Sequence, residues 1–188
     1  MIGLRGVTKV FGEQVVLDGL DLALEPGRVT ALTGPNGSGK TTIGRLLLGL
    51  ERPDAGEVVG VAGLRRAAVF QEDRLCEALT AVRNVQVVTG RDPRAGDLLR
   101  RLGLVDEDLA KPVGELSGGQ RRRVAIARAL AVDAELVVLD EPFTGLDVAG
   151  KPQVAAVVGE LCAGRTVLLI THDVADAEVF GAAVVGLL

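Results

Sequence analysis

The chain has 188 residues, of which 48% are hydrophobic and 24% are charged, and its formal net charge is −4. A disordered chain would be poorer in Leu, Val and Ile, so this composition indicates a globular protein, and the length suits one sizeable core. A chain with a net negative charge offers no basic surface for DNA or RNA, so we expect no nucleic-acid partner.

Three features that the sequence lacks limit the possible classes of protein further. No window of 18 consecutive apolar residues predicts a membrane span, and Met1–Val10 has no secretory signal pattern. Cys76 and Cys162 are far apart and fit no metal spacing, which is typical of reduced thiols. We therefore expect a cytoplasmic protein.

The first third of the chain has the patterns of β-strands around one Gly-rich loop. A Glu-Pro-Gly turn at residues 25–27 separates two of the strands, and the apolar positions after the loop suit a helix. The predicted strands are Ile2–Val7, Val15–Leu24, Val29–Leu32, Val58–Val61 and Ala67–Phe70, and the predicted helix is Thr41–Leu50.

Helical and strand-like segments alternate after residue 70. Residues 72–115 interleave charges with Leu and Val, which predicts a helical insertion. Gly119–Leu130 has the period of a helix with one apolar face and an arginine face that comprises Arg121, Arg122 and Arg128. Buried strands are predicted at Leu136–Leu139 and Thr166–Ile170, and a helix with Pro152 in its first turn at Val148–Cys162. This alternation predicts an α/β fold with a parallel sheet.

Residues Gly34–Thr41 fit the pattern G-x-x-x-x-G-K-[ST] between a predicted strand and a predicted helix. Glycines allow the backbone N–H groups to surround an anion, and the helix N-terminus then faces the phosphates. Lys40 would reach the β- and γ-phosphates, and the Thr41 hydroxyl would bind Mg²⁺. The sequence therefore predicts a phosphate loop (P-loop) for a nucleotide, although kinases, GTPases and transport ATPases all use such a loop.

Asp140 and Glu141 end the predicted buried strand that begins at Leu136. Ligands of parallel sheets lie outside the carboxyl ends of the strands, so Asp140 would reach the Mg²⁺ sphere. Glu141, one residue further, could polarise a water for attack on the γ-phosphate. An acidic pair that merely begins a loop is the alternative. Beside a phosphate loop, the pair favours hydrolysis over transfer of phosphate to a small molecule.

Leu116-Ser117-Gly118-Gly119-Gln120, here called the signature segment, matches the LSGGQ signature of ATP-binding cassette (ABC) ATPases. The whole chain resembles an ABC nucleotide-binding subunit. The other motifs follow in the family order: the phosphate loop, Gln71, the acidic pair, Gly145-Leu146-Asp147 and Thr171-His172-Asp173. The resemblance implies a P-loop NTPase fold of the ABC type, with a mostly parallel central sheet, an antiparallel N-terminal β-subdomain and a helical insertion. It also implies one domain over 1–188, with a catalytic core over 1–71 and 116–188 and a helical subdomain over 72–115.

The resemblance implies a role for each motif residue, with ATP and Mg²⁺ as the bound species. Glu141, His172 and Gln71 would be catalytic, with His172 as the switch histidine, and Asp147 would communicate across a dimer. Thr41, Gln71 and Asp140 would hold the metal ion. The ATP-binding residues would be Phe11, Gly34, Pro35, Asn36, Gly37, Ser38, Gly39, Lys40, Thr41 and Thr42. Phe11 would stack on adenine and is expected to precede the first β-hairpin.

The resemblance also implies partners. Ser117 and the amides of Gly118 and Gly119 would bind the γ-phosphate of ATP held by a second ABC subunit, in a homodimer or heterodimer. The segment Val69–Leu75 resembles importers of the nitrate, sulfonate and taurine group, although Cys76-Glu77-Ala78 departs from their Leu-Pro-Trp-like continuation. A transmembrane permease, a substrate-binding protein and a position on the inner face of the cell membrane would follow. A soluble ABC ATPase of a non-transport machine and a regulatory nucleotide binder without catalysis are the alternatives.

Overall fold

The computed structural model describes residues 1–187, and only the backbone of Val174 among them; the predicted domain boundary at Leu188 lies outside the described residues. The strands are β1 (Ile2–Phe11), β2 (Gln14–Leu24), β3 (Val29–Thr33), β4 (Ala55–Val59), β5 (Arg66–Val69), β6 (Leu136–Asp140), β7 (Thr166–Ile170) and β8 (Ala183–Gly186). The helices are α1 (Lys40–Leu48), α2 (Ala81–Thr89), α3 (Ala95–Arg101), α4 (Asp106–Ala110), α5 (Gly118–Leu130), α6 (Lys151–Cys162) and α7 (Val174–Val179), with a 3₁₀ turn at Val113–Glu115.

The strands form two sheets that match the predicted fold class. The N-terminal sheet has the order β2-β1-β4, and both of its pairings are antiparallel. The second sheet has the order β5-β6-β7-β3-β8, and β3 pairs parallel with β7 and β8 while β6 pairs parallel with β7. The mostly parallel sheet, the antiparallel β-subdomain and the helical character of residues 72–115 are therefore confirmed.

The parallel sheet is built from continuous apolar strands. Every residue of β6 and of β7 is buried, as expected for central strands that are covered on both faces. Helix α1 contributes Ile43, Leu46 and Leu47 to the same core. Gly44 allows this helix to approach closely, since a Cβ there would lie 3.0 Å from Val138 Cγ1. Each fully buried Leu or Ile contributes about 1.5–3 kcal/mol of transfer free energy, which fixes the sheet under the phosphate loop.

The chain divides into two compact units. Unit 1 comprises Met1–Ala68, Ala134–Asp140 and Ala163–Leu188, and unit 2 comprises Val69–Asp133 and Glu141–Cys162. Unit 1 holds both sheets except for Val69, whereas unit 2 is helical and buries apolar residues of α2, α3 and α5. The division into a core and a helical subdomain at residues 72 and 115 stays a prediction.

The start of α6 corrects the sequence prediction. Val148, the predicted start, lies outside the helix and is 91% exposed. It belongs to a turn in which the Gly150 N–H donates to Asp147 Oδ1 at 2.7 Å, and the helix begins only at Lys151. Pro152 is then the second helical residue, where its missing N–H costs nothing, as predicted.

The helices of residues 1–187 are too short, or too polar, for any of them to cross a lipid bilayer.

Candidate active site

The phosphate loop joins the carboxyl end of β3 to the first turn of α1, as the sequence predicts. Gly37 and Gly39 have φ of 84° and 91°, a region that side chains disfavour. Gly39 also lies against β2, where a Cβ would come within 2.6 Å of Leu17 Cδ2. The loop therefore needs glycine at this position both for its backbone conformation and for its packing.

Two polar groups inside the loop suit an anion. The buried Lys40 ammonium donates to the carbonyl oxygens of Gly34 at 2.8 Å and Pro35 at 2.7 Å. These two bonds use two of its three N–H donors and hold the charge at the loop. The Ser38 hydroxyl is buried and has no hydrogen-bond partner among the described residues. A phosphate oxygen would satisfy such a group, whose burial without a partner is otherwise costly.

Thr41 and Asp140 meet beside the loop. The Thr41 hydroxyl donates to Asp140 Oδ2 at 2.9 Å, and Asp140 is the last residue of the buried strand β6. Thr42 follows in α1 and is half-buried. Within residues 1–187 no group of three or more His, Cys, Asp or Glu side chains forms a metal cluster. The oxygen pair of Thr41 and Asp140 instead fits a hard cation that also takes ligands from phosphate and water, as Mg²⁺ does.

His172 lies at the same edge of the sheet. Strand β7 pairs with both β3 and β6, so the carboxyl ends of the three strands present the phosphate loop, Asp140 and His172 together. The turn around His172 is fixed by Thr171, whose hydroxyl donates to Asp176 Oδ2 and accepts from the Asp173 N–H, each at 3.1 Å. His172 itself is exposed. Unit 1 thus gathers three of the predicted motifs at one edge.

Phe11 is the last residue of β1 and pairs with Gln14 across the hairpin turn. The expectation that it precedes the hairpin is wrong, because β1 continues to the turn itself. Its ring is 43% exposed, and the Lys9 ammonium lies 5.1 Å from the ring centroid. An exposed aromatic ring of this kind, rather than a core Phe, suits stacking on a base.

Asp54 anchors this hairpin, and its charge makes the anchoring pH-dependent. The Val10 N–H donates to Asp54 Oδ2 at 2.7 Å, and this bond, with a smaller contribution from Lys9, lowers the pKa of Asp54. A lowered pKa in the folded state adds stability above the unfolded pKa of about 3.9, and that stability is lost as the pH falls through the folded pKa.

We expect D54N, whose amide oxygen still accepts from Val10, to lose less stability than the wild type between pH 6 and pH 3. Urea unfolding at the two pH values measures the difference, and equal losses would contradict the assignment.

Gln71 and Glu141 both belong to unit 2. Gln71 is exposed and follows Phe70 just after β5. Glu141 has φ of 49°, the left-handed region, which is costly for a residue with a Cβ. Its Oε2 accepts from the Thr144 hydroxyl at 3.4 Å, and its side chain is partly exposed. Glu141 thus leaves β6 through a sharp turn.

The signature segment begins helix α5 as predicted. Ser117 is the N-cap, and it forms a capping box in which Ser117 Oγ accepts from the Gln120 N–H and Gln120 Oε1 accepts from the Ser117 N–H. Gln120 Nε2 also donates to Asp108 Oδ2 at 2.7 Å, while Leu116 is buried. The exposed Gly118 and the partly exposed Gly119 are the first two helical residues, where amides suit an anion.

Asp147 lies in the exposed turn before α6. Its Oδ2 accepts from Arg123 Nη2 at 3.0 Å, which links the turn to α5. The turn also approaches the start of α5 closely, since a Cβ at Gly119 would lie 3.2 Å from the Gly145 carbonyl oxygen. Unit 2 therefore brings the signature segment and Asp147 together.

Arg122 is a residue that the sequence interpretation missed. The predicted arginine face is wrong for Arg122, which is only 3% exposed and donates to backbone carbonyls on both sides of α5. Arg121 and Arg122 are adjacent, so their side chains leave the helix about 100° apart and need not share one face. Arg122 instead shares the buried face of Ile126 and Ala129, and that spacing was the signal available in the sequence.

The chain is similar to known proteins in sequence and in fold. The family model described as ABC transporter matches residues 17–144. The chain is 44% identical to aliphatic sulfonates import ATP-binding protein SsuB 3 of Rhodococcus jostii (strain RHA1), over 94% of this chain and 67% of that protein. It is 42% identical to SsuB 1 of Nocardia farcinica (strain IFM 10152), over 94% of this chain and 73% of that protein. The chain thus spans about two thirds to three quarters of these relatives.

Its fold is similar to a structure of MJ0796, a bacterial ABC transporter cassette solved as a dimer, with a TM-score of 0.87 and 29% sequence identity. That match covers 100% of this chain and 94% of the other. A dimeric structure of MJ0796 in a post-hydrolysis state, bound to ADP and Pi, matches with a TM-score of 0.86. From these matches and the order of its motifs, we conclude that the chain belongs to the ABC transporter family as an ATP-binding subunit.

Proposed function

We propose that this ATP-binding subunit hydrolyses ATP at the phosphate loop to power the import of a small organic anion of the aliphatic sulfonate class. The observation that supports hydrolysis best is the 2.9 Å hydrogen bond from the Thr41 hydroxyl to Asp140, beside a loop that holds Lys40. The sulfonate class is supported by the names of relatives that are 42–44% identical.

Mg²⁺ is proposed as the cofactor, with Thr41, Asp140 and Gln71 as its protein contacts. The donors are a hydroxyl, a carboxylate and an amide oxygen, which is the ligand chemistry that Mg²⁺ prefers. When bound, the ion would neutralise charge on the β- and γ-phosphates. Lys40 would add a fixed positive charge, and the loop amides would orient the phosphates for in-line attack.

Glu141 is proposed as the general base. Its carboxylate would accept a proton from the attacking water as that oxygen bonds to the γ-phosphorus and the bond to the β-phosphate oxygen breaks, which gives ADP and phosphate. His172 would contact the γ-phosphate and orient Glu141. Both roles rest on the motifs, and an intact base with an imidazole favours an active enzyme over a regulatory nucleotide binder.

A second ABC subunit is proposed to complete the site. Ser117 and the amides of Gly118 and Gly119 would contact the γ-phosphate bound by the partner, and Asp147 would lie at the shared surface. The capping box supports this role, because it fixes the start of α5 while the first helical residues stay exposed or partly exposed. The dimeric state of the MJ0796 structures supports it as well.

The transport role implies a location and further partners. We propose that the subunit lies on the inner face of the cell membrane against a transmembrane permease, and that a substrate-binding protein delivers the anion. The main alternative is a soluble ABC ATPase of a non-transport machine.

Purification from the native host in mild detergent separates these two functions. The importer predicts co-purification with a multi-spanning membrane protein, and ATP hydrolysis by the complex in proteoliposomes that rises when the substrate-binding protein is loaded with an aliphatic sulfonate. A matched preparation of K40A tests whether the rise comes from this subunit. Capture of soluble partners alone would decide for the alternative.

Phe11 provides a test of nucleotide recognition. We expect F11A to weaken ATP binding by about 5- to 150-fold, because stacking of a base on an aromatic ring contributes about 1–3 kcal/mol. The affinity for inorganic tripolyphosphate, which has no base, should stay unchanged. Calorimetric titration of F11A with both ligands checks this, with F11Y as the control that keeps the ring. Equal affinity of F11A and wild type for ATP would exclude Phe11 from the adenine site.

A further inference from the structure

Arg122 connects two catalytic segments of unit 2 through its buried guanidinium. On one side, Nη1 donates to the carbonyl oxygens of Phe70 and Gln71 and to Asp73 Oδ1, the last at 3.1 Å. On the other side, Nη2 donates to the Glu141 carbonyl oxygen and Nε to that of Pro142 at 2.9 Å. The Arg122 side chain, which belongs to the helix that begins at the signature segment, therefore binds the backbone of both the Gln71 segment and the Glu141 segment.

The geometry of these contacts requires arginine. A guanidinium offers five N–H donors in a rigid planar fork, and here its three nitrogens all donate. A lysine ammonium at the same place is a single point with three donors and cannot span both backbones. The bond to the Pro142 carbonyl is buried, so that carbonyl would be left without a donor if the guanidinium were lost.

Glu141 is a residue that needs such support. Its φ of 49° places it in a conformation that side chains avoid, so surrounding contacts must maintain it. The bond from Arg122 to the Glu141 carbonyl is one of these contacts, and it acts on the backbone of the residue whose carboxylate would take the proton.

Arg128, on the same helix, has a narrower set of contacts. Its Nη1 donates to the Arg74 carbonyl oxygen at 2.8 Å, and its Nη2 to that of Asp73 at 2.9 Å. It thus holds the turn after Gln71 and has no hydrogen bond to the Glu141 segment among those described. Arg128 is therefore a matched control for Arg122. It is an arginine of the same helix, and it binds only one of the two segments that Arg122 binds.

We propose that Arg122 is a positioning residue that sets the backbone of Glu141 relative to that of Gln71. The inference rests on the proposed function, because it gives Glu141 the role of the general base. Arg122 neither contacts ATP nor takes part in proton transfer.

Comparison of R122K with R128K tests this role. We expect R122K to lower kcat by about 10²-fold, the loss typical of a displacement of about 1 Å in a catalytic group. KM for ATP should change by less than about threefold, because uniform binding is retained. R128K should keep kcat within about threefold of the wild type. The rates are divided by the concentration of ATP-binding sites measured by titration, so that unfolded protein does not lower the apparent kcat.

The outcomes separate this inference from the proposed function. A loss of kcat in R122K but not in R128K supports the positioning role. Equal kcat values for the two variants, or a loss in R122K that appears in KM alone, overturns it. E141Q measured in parallel tests the base: if E141Q is inactive and R122K is fully active, only the positioning role fails. If E141Q is fully active, the proposed base fails instead.

Discussion

Replacement of Glu141 by Gln is expected to lower ATP turnover by about 10²–10⁴-fold, the contribution typical of a general base, and to leave ATP binding intact. Gln has the same length and shape but cannot accept the proton of the attacking water. The backbone at this position should not change, since the Arg122 bond goes to the carbonyl of residue 141. The loss should therefore appear in kcat and not in the affinity.

Single-turnover hydrolysis and size-exclusion chromatography with ATP measure this effect. Because bound ATP is no longer consumed, E141Q should accumulate as a dimer with ATP in its sites. E107Q is a suitable control, since Glu107 is an exposed carboxylate in α4. Turnover of E141Q at the wild-type rate would remove Glu141 from the role of base.

Replacement of Lys40 by Ala is expected to abolish binding of ATP at the concentrations that saturate the wild type. Loss of hydrogen bonds to a charged group costs about 1.5–3 kcal/mol, or about 10- to 150-fold in Kd, and the phosphates also lose a nearby positive charge. The Lys40 ammonium is held at the loop by the carbonyls of Gly34 and Pro35. Residues 34–41 contain no other basic residue that could replace it.

Equilibrium titration with a fluorescent ATP analogue measures the affinity, and thermal unfolding without nucleotide tests the fold. Ala is a good helix former at the first residue of α1, so K40A should unfold near the wild-type temperature. K111A removes a lysine that pairs with Asp108 in unit 2 and should bind ATP normally. An unchanged affinity of K40A would contradict the phosphate-loop assignment.

The parts of the molecule predicted well from sequence are those whose signals are local. The phosphate loop is specified by glycines at fixed spacing, and the buried strands β6 and β7 by continuous apolar runs. The signature motif placed Ser117–Gln120 at the start of a helix, and the structure adds a capping box there that the sequence interpretation did not name. In each of these segments, neighbouring residues determine the local conformation, so the sequence pattern was sufficient to predict it.

The parts that escaped prediction depend on contacts between distant segments. The spacing of Arg122 with Ile126 and Ala129 could have indicated that it is buried, but only the folded chain shows that carbonyls at residues 70, 71, 141 and 142 accept from it. The start of α6 was placed at Val148, since apolar periodicity cannot reveal that Asp147 caps a turn before the helix. Phe11 was expected before the hairpin because the family resemblance implies an aromatic residue there and the first strand was predicted to end at Val7, whereas β1 continues to Phe11.

The left-handed backbone of Glu141 has an evolutionary consequence. Gly or Asn at that position would relieve a conformational cost of about 1–2 kcal/mol, so thermodynamic selection alone would favour losing the acidic side chain. As the proposed general base, Glu141 would have to be kept for turnover. If Glu141 is the general base, residue 141 is under two opposed pressures. Substitution by Gly or Asn would favour folding and would inactivate the enzyme, so selection for hydrolysis would be what retains glutamate in this conformation.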